Sequence, residues 1–242
     1  MPSVAAKGSK TVIVTIDGPA GVGKSTVAKL LAKQLGIMYL DTGATYRSLA
    51  YVVNQDPHLN PVTDAKPIAA LGRQLDLHLN TLPDGSLQVF LAGKDVSREI
   101  RNEKVTEVAA NISQHPEVRE AMVALQRKLA DRHGVVVEGR DTGSVVFPHA
   151  TYKFFLDANS EIRALRRQQE MKKLYGTRSP LKLVRDQIEL RDGMDRNRKV
   201  GPLVKPKGAI EIDTTHHTIP QVVRLMLKHI ERATRSHARQ LP

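Results

Sequence analysis

Glycines at positions 18, 21 and 23 lead into a lysine and a serine in "GPAGVGKST", Gly18-Pro19-Ala20-Gly21-Val22-Gly23-Lys24-Ser25-Thr26. The spacing satisfies G-x-x-x-x-G-K-[ST], and it sits between an apolar run and a helix-period pattern that starts near Ser25. Glycine tolerates a positive φ and lets backbone N–H groups approach an anion, while the positive end of the following helix adds attraction. The nine residues are candidates to cradle a nucleoside triphosphate, ATP or GTP. Lys24 would reach the β- and γ-oxygens, and the Ser25 hydroxyl would face a magnesium ion.

Three other stretches concentrate groups that bind phosphate, ribose or metal: "DTGATYR" (41–47), "EGRDTG" (138–143) and "RDGMDRNR" (191–198). In the first, Asp41, Thr42, Tyr46 and Arg47 are candidate substrate contacts, although a helix start capped by Asp41 or Thr42 explains the same pattern. In the second, Glu138 could hold magnesium through water, with Arg140 and Asp141 just beyond it; a surface turn is the competing reading. The third carries Arg191, Arg196 and Arg198 with Asp192 and Asp195, and i,i+3 or i,i+4 pairing on a solvated helix face competes there.

These groups need elements that bring them together. Val12–Ile16, Gly36–Asp41, Val135–Val137, Tyr152–Asp157 and Ala209–Asp213 read as strands with helical patterns between them. The fold class is α/β, a doubly wound parallel sheet of about five strands with ligands at the strands' carboxyl ends. Between Leu75 and Leu91 the period changes to two around "PDGS" (83–86), which predicts an inserted antiparallel hairpin. Ser160 to about Asp195 is a long basic helical stretch broken by "YGTRSP" (175–180), and it could form a helical lid. A single domain is expected over 10–235. Its core spans 10–52, 116–160 and 201–235, with an acceptor-binding region and insertion over 53–115, a lid over 161–200, and flexible tails at 1–9 and 236–242.

The 242 residues carry a formal charge of +12, which favours polyanions of any kind. Aromatic residues make up 4% with no Trp, a poor stock of stacking platforms for single-stranded nucleic acid, so small phosphates are the expected partners. With no cysteine, disulfides and thiolate zinc sites are excluded, and a reducing cytoplasm is compatible. The N-terminal stretch lacks a signal-peptide apolar core and no uncharged apolar run is long enough to span a bilayer, so a cytoplasmic protein with no membrane partner is expected.

Taken in order, "IDGPAGVGKST", "LDTGATYR", "EGRDTGSVVFP", "FLDANSEIRALRR" and "RDGMDRNRKVGPL" resemble the bacterial cytidylate kinases, from about Val12 to the final helix. The resemblance implies a P-loop kinase of the nucleoside monophosphate kinase fold. It also implies ATP as phosphoryl donor, magnesium, and CMP or dCMP as acceptor in pyrimidine nucleotide metabolism, in a monomer. Arg47 and Arg140 would hold the acceptor phosphate, and Arg191 and Arg198 would close over the transferring group. Arg166, and Arg163 or Arg167, would be contributed by the lid. Arg119 would donate to the ring's acceptor edge, and Asp195 would meet a ribose hydroxyl. One departure is that Ala109-Ala110-Asn111 stands where some relatives have a base-contacting serine, leaving Asn111 or Ser113 to compensate.

The chemistry asks little covalently of such a protein. A phosphate monoester has a second pKa of about 6, so near neutrality its attacking oxygen is already deprotonated and no general base is needed. The obstacle is repulsion: two unit charges about 4 Å apart at an effective dielectric of about 20 repel by about 4 kcal/mol. Arginine forks suit the task better than lysine. Cytosine offers an exocyclic amino donor where uracil has an acceptor, so a carboxylate discriminates between them, and Asp141 is the candidate. Two other readings stay open at this point: a sugar or shikimate-type kinase, and a basic RNA-binding protein for which ATP acts as a switch.

Overall fold

The computed structural model describes residues 11–82, 85–130, 134–176 and 179–238. At its centre lie β1 (Ile13–Asp17), β2 (Met38–Asp41), β6 (Val135–Gly139), β7 (Tyr152–Asp157) and β8 (Ile210–Asp213). All pair in parallel, in the order β2-β6-β1-β7-β8. Such strands read as unbroken apolar runs because both sheet faces are covered. On one face Val14, Ile16, Val136, Phe154 and Leu156 pack with Val27, Ala28 and Leu31 of α1 (Lys24–Leu35) and Val222, Val223 and Met226 of α8 (Ile219–Ala238). On the other, Val135 and Val137 pack with Leu40, Val146 and Phe147 and with Ala130 of α5 (Pro116–Ala130). The strand period of two sends Val136 to one layer and its neighbours to the other.

Between β2 and β6 the chain builds α2 (Thr42–Gln55), α3 (Ala65–Arg73), an antiparallel sheet and α4 (Glu103–Ile112) before α5. Leu49, Val53, Ile68, Val105, Ile112, Val118 and Met122 form the core of this region. The expected hairpin is present as β3 (Leu77–Thr81) and β4 (Leu87–Leu91), in register from Leu77 opposite Leu91 to Thr81 opposite Leu87. Of its turn, Pro83 and Asp84 lie outside the described residues. A third strand, β5 (Lys94–Asp95), pairs with β4; two exposed residues carry no periodicity, and sequence reading missed it.

The basic stretch folds into α6 (Ser160–Tyr175) and α7 (Leu181–Asn197), packed together through Ala164, Met171, Val184 and Ile188. Within the expected loop, Gly176 caps α6 in the left-handed conformation, and Thr177 and Arg178 lie outside the described residues. Helix α8 continues to Ala238, past residue 236 where a tail was expected; the rest of that expected tail and residues 1–10 are not described. No helix among the described residues is long and apolar enough to cross a membrane.

Asp17, fully buried at the end of β1, ties the sheet to the segment after β6. One carboxylate oxygen accepts from the Thr142 N–H and hydroxyl, each at 2.7 Å, and the other accepts from the Gly143 N–H at 2.7 Å. These bonds hold a π-helical turn, Thr142–Val146, directly after Arg140 and Asp141. Burial outweighs the bonds and raises the Asp17 pKa from 3.8 to about 6. A carboxyl whose folded pKa is raised favours folding when protonated, so its contribution falls as pH rises through about 4 to 6. Asp17→Asn removes that titration. Thermal melts from about pH 4 to about pH 7 should show the stability of the wild type falling relative to the variant as pH rises, by up to about 3 kcal/mol.

Candidate active site

The glycine loop leaves the carboxyl end of β1 as the sequence pattern requires. Gly21 has φ +79°, and a Cβ there would lie 2.7 Å from the Arg163 carbonyl oxygen of α6, so both conformation and space call for glycine. Gly23, at φ 92°, precedes the first turn of α1. Lys24 is buried, and its ammonium donates to the Pro19 carbonyl at 2.6 Å. Burial and the neighbouring Arg140 charge pull the Lys24 pKa down to about 7, against the opposing influence of Glu138 and Asp192.

Parallel register sets Asp41 beside Glu138 and Ile16 on Glu138's other side, so two carboxylates stand abreast at the sheet edge. Burial, then Asp41, raises the Glu138 pKa. Ser25 Oγ donates to Glu138 Oε1 at 2.7 Å, and the Tyr39 hydroxyl approaches the same oxygen at 3.4 Å. Among the described residues no group of three His, Cys, Asp or Glu could enclose a metal. One hydroxyl and one carboxylate next to a phosphate cradle fit magnesium, which keeps several waters and takes much of its coordination from substrate phosphates.

Facing the loop is a set of arginines, each braced by an aspartate. Arg47 Nη2 meets Asp41 Oδ2 at 2.9 Å, and Arg140 Nε meets Asp195 Oδ2 at 2.9 Å. Asp195 Oδ1 also lies 3.3 Å from Arg198, whose Nη2 donates to the Gly201 carbonyl at 2.6 Å. Arg119 is paired with Asp141, lies over the Tyr46 ring at 5.8 Å and donates to the Ser113 carbonyl at 3.4 Å. Burial pushes the Tyr46 hydroxyl up to about 12, keeping it neutral. Arg191 differs from these: it has no hydrogen bond or ion pair among the described residues. Burial and the charges of Arg140, Arg47 and Arg167 bring its pKa down to about 10, with Asp195 opposing.

Some expected residues do other work. Thr42 donates its hydroxyl to the Glu138 carbonyl at 2.8 Å, joining β2 to β6, and Asp41 caps α2 through the Ala44 N–H at 2.9 Å as well as pairing with Arg47. Arg166 is not gathered with Arg191. It grips Thr214 through the hydroxyl at 2.9 Å and the carbonyl at 2.7 Å, while Thr214 donates to the Val22 carbonyl of the loop at 3.1 Å. Arg167 pairs with Glu170 on the surface of α6. The Ser113 hydroxyl, just past the end of α4, is turned back to the Ala110 carbonyl of that helix. Sequence reasoning missed Asp17 and Thr214 altogether, and treated Asp192 only as a helix-face charge. A charged residue closing an apolar strand directly before Gly18 was the available signal for Asp17.

A glycine loop with a lysine at a helix start, near a cluster of aspartate-braced arginines, is suited to binding phosphates, and a family model for cytidylate kinase matches residues 14–232. The chain belongs to the cytidylate kinase family. A cytidylate kinase of Caldanaerobacter subterraneus subsp. tengcongensis is 46% identical over 93% of this chain and 97% of its own length. Those of Oceanobacillus iheyensis and Symbiobacterium thermophilum are 43% and 40% identical, over 90% and 93% of this chain and 94% and 98% of theirs. Membership makes the chain an ATP-dependent kinase of this family. Gly21→Ala should destabilise the protein by about 1–3 kcal/mol in a urea titration and weaken ATP binding, from left-handed strain together with a backbone clash.

Proposed function

We propose that this kinase transfers the γ-phosphoryl group of ATP to CMP or dCMP, giving ADP and CDP or dCDP, as a cytoplasmic monomer acting on small nucleotides. The observation that carries the reading is Arg191, whose guanidinium has no hydrogen-bond or ion-pair partner among the described residues and stands among the charges of Arg140, Arg47 and Arg167, its pKa lowered to about 10. A half-buried cation in that setting is stabilised when an anion enters, and a glycine loop of this pattern favours phosphate as that anion.

In this reading Arg47 and Arg140 hold the acceptor phosphate, and Arg191 and Arg198 face the group in transfer. Lys24 leaves the Pro19 carbonyl for the β/γ-oxygens, and the phosphate charge that it meets favours its ammonium form. Magnesium, held by Ser25 and through water by Glu138, would offset charge on those oxygens. The acceptor oxygen is already deprotonated near neutral pH, so these residues catalyse by alignment and charge stabilisation. Asp141 accepts the cytosine amino group, Arg119 donates to the acceptor edge, and Asp195 takes a ribose hydroxyl. Thr42 and Tyr46 back the acceptor site through β6 and Arg119. Arg166, bonded to Thr214, braces the flank of the loop at Val22 instead of gripping the transferring group. Helices α6 and α7 form the lid over residues 161–200, on a core of 10–52, 116–160 and 201–235, with 53–115 as the acceptor-binding region.

A coupled ADP-release assay with CMP, dCMP, UMP, AMP and shikimate side by side should show turnover with the two cytidine nucleotides far above the rest. ADP formation that needs RNA and ignores CMP would replace this reading. Asp141→Asn should narrow the CMP over UMP preference in kcat/KM by about tenfold or more while the KM for ATP holds, and an unchanged ratio removes Asp141 from base recognition. Arg191→Lys, which loses the planar fork, should lower kcat by about 100-fold or more with a much smaller rise in the CMP KM.

A further inference from the structure

Asp192 lies deep in the molecule, 1% exposed, although neither composition nor motif gives it a role. It sits on α7 next to Arg191, and its carboxylate reaches across to the donor loop. Oδ1 accepts the Ala20 N–H at 3.0 Å, and Oδ2 is paired with Arg163 of α6. The same Arg163 nitrogen donates to the Ala20 carbonyl at 3.2 Å. Both backbone groups of one loop residue are therefore clasped by one ion pair drawn from the two helices. Ile188, one turn before Asp192 on the same helix face, belongs to an apolar cluster that also takes in Ala20. The α6 backbone at Arg163 abuts Gly21 so closely that a Cβ would not fit.

A carboxylate so buried is costly to hold unless it is paired and hydrogen-bonded, and here both conditions are met at the P-loop. We propose that Asp192 is a positioning residue. By clasping Ala20 together with Arg163 it locks the base of the α6–α7 hairpin to the donor loop and so presets Arg191, its neighbour in sequence, over the phosphates. This rests on the role given to Arg191 above. A misplacement of Arg191 by about 1 Å is enough to lower turnover about 100-fold without touching ground-state binding.

The test compares Asp192→Ala, Asp192→Asn, Arg163→Gln and Arg191→Lys, with folding checked by thermal melting. Asp192→Ala should lose about 100-fold in kcat with the KM values for ATP and CMP moving less than about threefold. Asp192→Asn keeps an oxygen for the Ala20 N–H and should lose only about threefold to tenfold in kcat, with the Ala20 amide exchanging slowly again. If Asp192→Ala does not fold, Asp192→Asn and Arg163→Gln decide, and each should lower kcat by at least about threefold at steady KM. The proposal is overturned if the folded variants keep kcat within about twofold of wild type, or if the loss lies in KM alone. Arg191→Lys separates the two levels. Normal turnover in that variant removes the role of Arg191 itself, whereas a defect there beside normal Asp192 variants removes only the clasp.

Discussion

Repulsion among cations that must stand ready before any phosphate arrives is the constraint on which the site depends. At about 4 Å and an effective dielectric of about 20, each pair of like charges costs about 4 kcal/mol. The fold gathers Lys24, Arg47, Arg140, Arg191 and Arg198 in one region and then sets aspartates among them. Asp41 braces Arg47, Asp195 bridges Arg140 and Arg198, Asp141 holds Arg119, and Asp192 holds Arg163. Each carboxylate orients its guanidinium as well as offsetting its charge, which counts where alignment is the catalytic resource. Among the described residues Arg191 alone of these arginines has no direct carboxylate partner, only the more distant Asp195 charge, and the electrostatic demand for an anion is greatest there.

Sheet register brings further polar groups to the same carboxyl edge of the sheet. Parallel pairing brings Asp41, Glu138 and the end of β1 to one edge, and Ser25 bonds Glu138 from the first turn of α1. Asp17 carries the same edge into the turn after β6, so the strand that starts the donor loop also positions the segment bearing Arg140 and Asp141. The glycine loop and the segment after β6 thus share one buried carboxylate.

The P-loop is held from outside as well. Asp192 and Arg163 clasp Ala20, and Thr214, gripped by Arg166, reaches Val22. A glycine-rich loop loses much conformational entropy on ordering. External bonds to two of its non-glycine residues reduce that loss at the moment of binding.

Local pattern was enough for the G-x-x-x-x-G-K-[ST] loop, the five apolar strands, the period-two hairpin and the clustering of arginines after strands, because periodicity, glycine chemistry and residue type are written within short windows. Three-dimensional packing alone decided which aspartate meets which arginine. Asp192 read as one charge among several on a helix face and proved to be a buried contact with Ala20, 172 residues away in sequence. Arg166 read as a lid arginine by type, and its bonds to Thr214, 48 residues on, were not legible from the sequence. Asp17 was an unexplained charge at a strand end until the chain beyond β6 folded back on it. The physical reason is the same for all three: a charged side chain reveals its chemical type in the sequence, but its energy, and therefore its task, depends on burial and on partners that only long-range folding supplies.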